Sequence, residues 1–318
     1  MKIDLICRDA EALHALGRTR EALDLLHEAR PRAEDGAPLL ALLLAEGRIR
    51  TLDTVNRNAD PAPLLALLGE ARQLAERLGD RASLADALSL LGQAHYFAEL
   101  NAAESIQFAD DSFAESLDLQ QRALSLREEL GDARGTSESQ FLIGTVYERR
   151  QRHDEAMERY EEAYRIADRG AFIREKAEPT RHMAFHCLIE GDLERALPFA
   201  LKALALREES GFRPHLPLDH LLASEIFMRL DRTEEAWNHA NEAYELAERL
   251  GIKRAASSSL LLLGDLRAAR GETRQAIDDY EQALKLGREL KLPLAVARAA
   301  ERLRKLRPSG AVTDEVSS

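Results

Sequence analysis

Apolar and small residues return at three- and four-residue steps through almost the whole chain, the period of a helix face rather than of a strand. The clearest stretch runs from Ile143 to Ala163. Ile143, Gly144 and Tyr147 share one face, a polar turn follows at Gln151-Arg152-His153-Asp154, and Ala156, Tyr160 and Ala163 share the face of a second helix. Gly144 permits close approach of the two helices, and the aromatic rings fill the gaps that the small residues leave. This is one helix-turn-helix unit.

The unit repeats. Ala156, Ala196, Ala236 and Ala276 stand forty apart, as do Ala123, Ala163, Ala203, Ala243 and Ala283. Ile166, Leu206, Leu246 and Leu286 keep the interval, and so do Tyr160, Ala200, Ala240 and Tyr280. Twelve residues before the first series stand Gly144, Ala184, Ser224 and Gly264, all small. Upstream, Ala71 precedes Ala123 by fifty-two and Ala29 precedes Ala71 by forty-two, with Gly92 in the role of Gly144. The pattern predicts seven helix pairs. First helices fall at 3–16, 37–57, 81–98, 133–150, 172–190, 214–230 and 252–270. Second helices fall at 19–34, 61–78, 112–130, 153–169, 192–210, 232–250 and 272–290. Residues 1–307 then form a single solenoid, because such units stack rather than enlarge one core. An insert at 99–112 lengthens the turn inside the third pair, a capping helix is expected at 292–306, and residues 308–318 are expected to be disordered.

Boundary residues sharpen the picture. Thr19, Thr233 and Thr273 are expected to cap second helices. Gly36, Gly79, Gly131, Gly170, Gly211 and Gly251 are expected in left-handed helix ends. Pro61, Pro179 and Pro217 suit first turns. Pro198 stands about a turn and a half inside a predicted helix, so a kink or a late start is expected there.

Composition agrees with an all-α protein: 45% hydrophobic, 31% charged and only 5% aromatic. The net charge of −12 repels phosphate backbones, which argues against a nucleic-acid partner. There is no signal-peptide pattern and no apolar run long enough to span a membrane. Cys7 and Cys187 each fall in a helical apolar pattern, which fits a reducing compartment and a cytoplasmic location.

The chain resembles a tetratricopeptide repeat protein over nearly its whole length. The L-G-x2-Y…A-x3-F pattern is matched by Ile143-Gly144-Tyr147 with Ala156-Tyr160, and by Leu263-Gly264 with Ala276-Tyr280. It departs in three ways. Gln140, Thr180, His220 and Leu260 stand where the early Trp is expected, and Asp168, Glu208, Glu248 and Arg288 where the late Pro is expected. The period is forty rather than about thirty-four. Repeats of this length are similar to the kinesin-light-chain and Pins-type subgroup and to bacterial peptide-sensing regulators. The resemblance implies a right-handed α-α superhelix whose first helices line a concave groove that binds a protein or peptide partner.

With first helices facing the groove, ten residues become candidates for partner binding: Tyr96, Phe141, Thr145, Arg149, Arg181, Phe185, Leu188, Leu221, Glu225 and Met228. Phe141, Phe185, Leu221 and Met228 form an apolar strip with charges beside it. The Lys/Asn/Arg clamp of chaperone-binding repeats is absent, since only Arg181 suits it. Glu178, His182, His186 and Glu190 follow one another at four-residue steps with Cys187 adjacent. Two histidines at that spacing could hold a metal, but the Glu of an H-E-x-x-H motif is missing, and a Glu–His pair on a wet helix face is the favoured reading. No phosphate-binding or nucleophile motif occurs. The expected function is a non-enzymatic scaffold, with no catalytic residues, cofactor or metal. The alternatives are a regulator responsive to a peptide or small ligand and, further off, a metal-dependent enzyme. The sequence leaves the oligomeric state open.

Overall fold

A computed structural model of the chain describes residues 2–33, 35–103 and 107–306. All regular structure among them is helical. The pairs are α1 (Ile3–Ala15) with α2 (Thr19–Ala29), α3 (Gly36–Arg57) with α4 (Ala62–Leu78), and α5 (Arg81–Ala102) with α6 (Ala114–Leu130). They continue with α7 (Ala133–Arg149) and α8 (His153–Arg169), α9 (Ile173–Glu190) and α10 (Leu193–Ser210), then α11 (Leu216–Arg229) and α12 (Thr233–Leu250). The last pair is α13 (Lys253–Ala269) with α14 (Thr273–Glu289), and α15 (Pro293–Leu306) caps the array. Short 3-10 turns, Arg30–Arg32 and Arg213–His215, follow α2 and precede α11. The expected tail at 308–318 lies outside the described residues, as do Glu104 and Ile106 of the insert.

The small residues that set the period are the contact points. Ala156, Ala196, Ala236 and Ala276, and the series from Ala123 to Ala283, are at most 1% exposed. Consecutive first helices pack directly on one another, from α1 on α3 to α13 on α15, while each second helix packs on the first helices of its own pair and the next. The first helices therefore form the inner layer of the superhelix.

The turns repeat more faithfully than the residues that occupy them. Left-handed residues occur at Gly131, Ala171, Gly211, Gly251 and Lys291, and again at Gln151, Gly191, Asp231 and Gly271. Each closes its helix with a bond back across the last turn, such as Phe172 N to Ala167 O at 2.9 Å and Asp192 N to Cys187 O at 2.9 Å. This corrects two expectations. Gly170 is not left-handed; Ala171 takes that role, and Gly170 instead makes room for the Phe172 ring. Gly36 opens α3 rather than ending a helix.

Other boundary expectations also need revision. Thr19, Thr233 and Thr273 are the first helical residues, and no side-chain cap bond forms at those helix starts. The working caps are Asp35, Asp80, Asp132 and Asp192, whose carboxylates accept from the backbone of Gly36, Ser83, Gly135 and Arg195. Pro198 does not delay its helix, since α10 runs from Leu193 through it. Pro179 also lies inside α9 rather than in its first turn. Each proline costs its helix one backbone hydrogen bond, which the packing on both sides outweighs.

The superhelix closes on itself. The ends of α1, α3 and α5 meet the turns that lead into α11, α13 and α15. His14 stands edge-on to Phe212 at 5.6 Å. Asn58 Nδ2 donates to the carbonyls of Leu290 at 2.9 Å and Lys291 at 3.2 Å. Arg254 Nη2 donates to Asn101 Oδ1 at 2.7 Å. Packing of α3 on α13 completes this seam. The first three pairs thus touch the last two and the cap, a departure from an array in which each repeat meets only its neighbours.

Candidate functional site

The inner layer carries a chain of charges running from repeat to repeat. Glu11 of α1 pairs with Arg48 of α3 at 3.0 Å, and Arg48 pairs with Asp86 of α5. Asp86 is shared with Arg127, a buried residue of α6, at 3.0 Å, and Arg127 reaches Glu138 of α7 at 2.8 Å. Arg127 also donates to Gly135 O at 3.0 Å and Ser139 Oγ at 2.8 Å. Two repeats on, Arg207 is 1% exposed and bonds Glu178 at 2.6 Å and Asp219 at 3.0 Å. Arg181 and His215 close on Glu178 as well. Burial would raise the Glu178 carboxyl, but Arg207, Arg181 and His215 hold it well below its ordinary range. Burial wins at Asp219, whose carboxyl is raised despite the same two arginines.

A second cluster lies one turn further along α9, on the other side of Arg181. Tyr160 OH donates to Glu148 Oε2 at 2.9 Å, and His182 Nδ1 lies 2.9 Å from the same oxygen. Burial opposes ionisation of Glu148, yet His182, Arg149 and Tyr160 bring its carboxyl down to about 2. His182 Nε2 lies 2.9 Å from Arg181 Nη2. Both ring nitrogens are committed, which leaves no free base. The Glu–His reading on a wet face is therefore corrected: His182 is buried and pairs across helices with Glu148, while Glu178 serves the arginines. His186 does pair with Glu190, at 3.2 Å. No group of three metal-ligating side chains forms among the described residues.

The ten candidates divide by accessibility. Phe141, Arg149, Arg181, Phe185, Leu221, Glu225 and Met228 are half-buried. Phe141 rests against the rings of Tyr160 at 5.8 Å and His182 at 5.1 Å. Glu225 pairs with Arg229 at 2.9 Å. The other three are corrected to packing positions. Leu188 is 1% exposed and packs with Ala184, Ala200 and Ile226 in the core shared by α9, α10 and α11. Thr145 is buried and its hydroxyl donates to Leu142 O at 2.7 Å. Tyr96 is buried because the insert folds over it, with Phe113 5.0 Å from its ring and Phe108 tilted against Phe113 at 4.8 Å. Glu99 fixes that fold by accepting from Phe113 N at 2.9 Å. The Tyr96 hydroxyl accepts from Arg149 Nε at 3.0 Å, which fixes the Arg149 side chain.

The arginines Arg127 and Arg207 escaped the sequence reading, although a signal existed. Their register reads Ala75, Arg127, Ala167, Arg207, Ala247 and Gly287. An arginine at a position otherwise reserved for small buried residues announces a buried cation, and the acids Asp86, Glu138 and Glu178 recur in a register of their own.

The tetratricopeptide repeat family profile matches residues 98–169, the stretch that spans the end of α5 to the end of α8. Those residues carry tetratricopeptide repeats, and the helix pairs on either side continue the same architecture. Among solved structures, the chain is similar to a Rap protein complexed with competence and sporulation factor, with a TM-score of 0.67 at 16% identity over 96% of this chain and 85% of that one. Aspartyl phosphate phosphatase F of Bacillus subtilis superposes with a TM-score of 0.53 at 14% identity, covering 93% and 79% of the two chains. BtubC of P. vanneervenii gives 0.51 at 18% identity, covering 85% and 96%. At these identities the likeness is one of fold. No curated protein matches the sequence. Among the described residues no helix is long and apolar enough to cross a membrane.

Proposed function

We propose that the chain is a non-enzymatic interaction module that holds a segment of a protein partner along the inner face of α7, α9 and α11. One observation supports this reading: Phe141, Phe185, Leu221 and Met228 of these first helices keep part of their surface accessible, as do Arg149, Arg181 and Glu225. The deeper charges are paired among themselves, so they order the inner wall, while the apolar strip supplies anchors worth about 1.5–3 kcal/mol each when covered. The free, buried thiols of Cys7 and Cys187 support a reducing, cytoplasmic setting.

A Phe141→Asp/Phe185→Asp double variant of confirmed helicity tests the site. Partners captured from lysate by the wild type and lost by the variant support it. Identical captures would move the interface off the inner face.

A second reading, a peptide-responsive regulator, draws on the closed seam and on the similarity in fold to a Rap protein complexed with competence and sporulation factor. It expects compactness to change on ligand addition, which small-angle scattering measures; an invariant profile under saturating ligand would dismiss it.

A further inference from the structure

The seam encloses a half-open cleft of about 470 Å³, a volume typical of small-molecule sites. Its walls are apolar, with Pro61, Leu64, Ala94, Phe97, Ala98 and Pro293 among them. None of the ten groove candidates lines it. The polar groups on its rim come from both sides of the seam: Thr54, Asn58 and Asn101 from the first half and Lys291 from the second.

The charge around this cleft runs against that of the whole chain, which is −12. Lys291 has no ion-pair partner among the described residues. Arg254 bonds only the neutral Asn101 there, and burial lowers its pKa with no carboxylate acting to restore it. Two helices begin at the seam, α13 and α15, and neither has an acid in its first turn; Ile252, at the start of α13, offers no capping side chain. Their positive ends add to the two cations. The acid on the lining, Asp60, is turned to the start of α4, where Oδ1 accepts from Ala62 N at 3.0 Å. Lys291 also sits in the left-handed region at φ 51°, where the equivalent turns at 131, 211 and 251 use glycine. The strain is retained together with the side chain that reaches the rim.

We propose that the cleft binds a small amphiphilic carboxylate. Its apolar body lies on Leu64, Ala94 and Phe97, and its carboxylate takes Lys291 as counter-ion with the Asn101 amide N–H beside it, while Arg254 adds positive charge from behind Asn101. Such a ligand touches both halves of the closed ring. The site is separate from the proposed groove and stands or falls independently of it.

Titration calorimetry with octanoate tests the proposal, with octan-1-ol as the uncharged probe. The wild type binds octanoate saturably at one site, and octan-1-ol about tenfold more weakly. Lys291→Gly also weakens octanoate about tenfold while melting no lower than the wild type, because glycine relieves the strained turn; lost binding in that variant is therefore not lost folding. Ala98→Phe, which fills the cleft from a half-buried position, weakens both probes. No saturable octanoate binding, equal affinity for both probes, or unchanged affinity in Lys291→Gly each overturns the proposal.

Discussion

A β-carbon built on Gly144 would stand 2.6 Å from Cε1 of Tyr160. The ring cannot swing aside freely, because its hydroxyl is held by Glu148 at 2.9 Å. Gly144→Ala is therefore expected to destabilise by about 1–3 kcal/mol through overpacking, despite the roughly 1 kcal/mol that alanine gains in helix propensity. Gly69, inside α4, has open space around its would-be β-carbon. Gly69→Ala is expected to stabilise by about 0.5–1 kcal/mol. Urea unfolding of the two variants should move in opposite directions, and a stabilised Gly144→Ala would refute the close-approach account.

Replacing Arg207 with methionine removes the closer of the two cations that Glu178 and Asp219 share in a buried site, leaving Arg181 at 3.0 Å from Glu178 and 3.8 Å from Asp219. The expected loss is about 3–5 kcal/mol, the range for breaking a buried ion pair from one side. A loss below about 1 kcal/mol would mean that the two acids find other partners. Adding Asp219→Asn should recover part of the loss, which a double-mutant cycle measures.

Acid should weaken the fold in two stages. Burial, with help from Arg174 and His215, lowers His14 to about 4, and burial with His239 lowers His220 to about 4. Each folded pKa lies below the unfolded value near 6.5. The unfolded chain therefore binds the proton first, and stability falls as pH drops from about 6.5 towards 4. His14 alone contributes on the order of 3 kcal/mol to that fall. Glu148 acts later: its carboxyl is depressed to about 2, so its contribution is present above the unfolded value near 4.3 and disappears only as pH approaches 2. Melting temperatures of His14→Gln between pH 7 and 5 should change less than those of the wild type. Parallel curves would remove His14 from the account.

Ala171 occupies a left-handed turn at φ 52° that its counterparts at 131, 211 and 251 fill with glycine. Ala171→Gly is expected to stabilise by about 1 kcal/mol, since the strain relieved exceeds the added chain entropy. An unchanged or lower denaturation midpoint would show that the turn is not strained.

Most of the helical frame was legible because one physical demand, close approach of neighbouring helices, recurs every forty residues and admits only small side chains. Ala163 and Tyr160 declare themselves for that reason. The turns were less legible: their backbone repeats, but Gln151, Ala171, Asp231 and Lys291 satisfy it as well as glycine does, so counting glycines misplaced a cap. The groove was legible only as a face. Helical phase places Leu188 and Phe185 near one another, yet it cannot say that Leu188 lies between three helices while Phe185 is only partly buried against the same core. Arg207 was hidden because its partners Glu178 and Asp219 belong to two other helices. The seam left no trace in any periodicity, since Asn58 and Leu290 are 232 residues apart and their contact depends on how far each repeat rotates.

The contact of Asn58 with Leu290 and Lys291 also makes the ring count. An open array of this kind can gain or lose a unit at either end with little consequence for the rest. Here the first pairs already occupy the place that an eighth pair would take, and a chain one unit shorter would leave Asn58 facing solvent. Closure then ties the number of repeats to the rotation each one contributes, as tooth number is tied to pitch in a gear, so a duplicated or deleted unit would break the seam while changes in the insert, the turns or the inner wall would leave it intact.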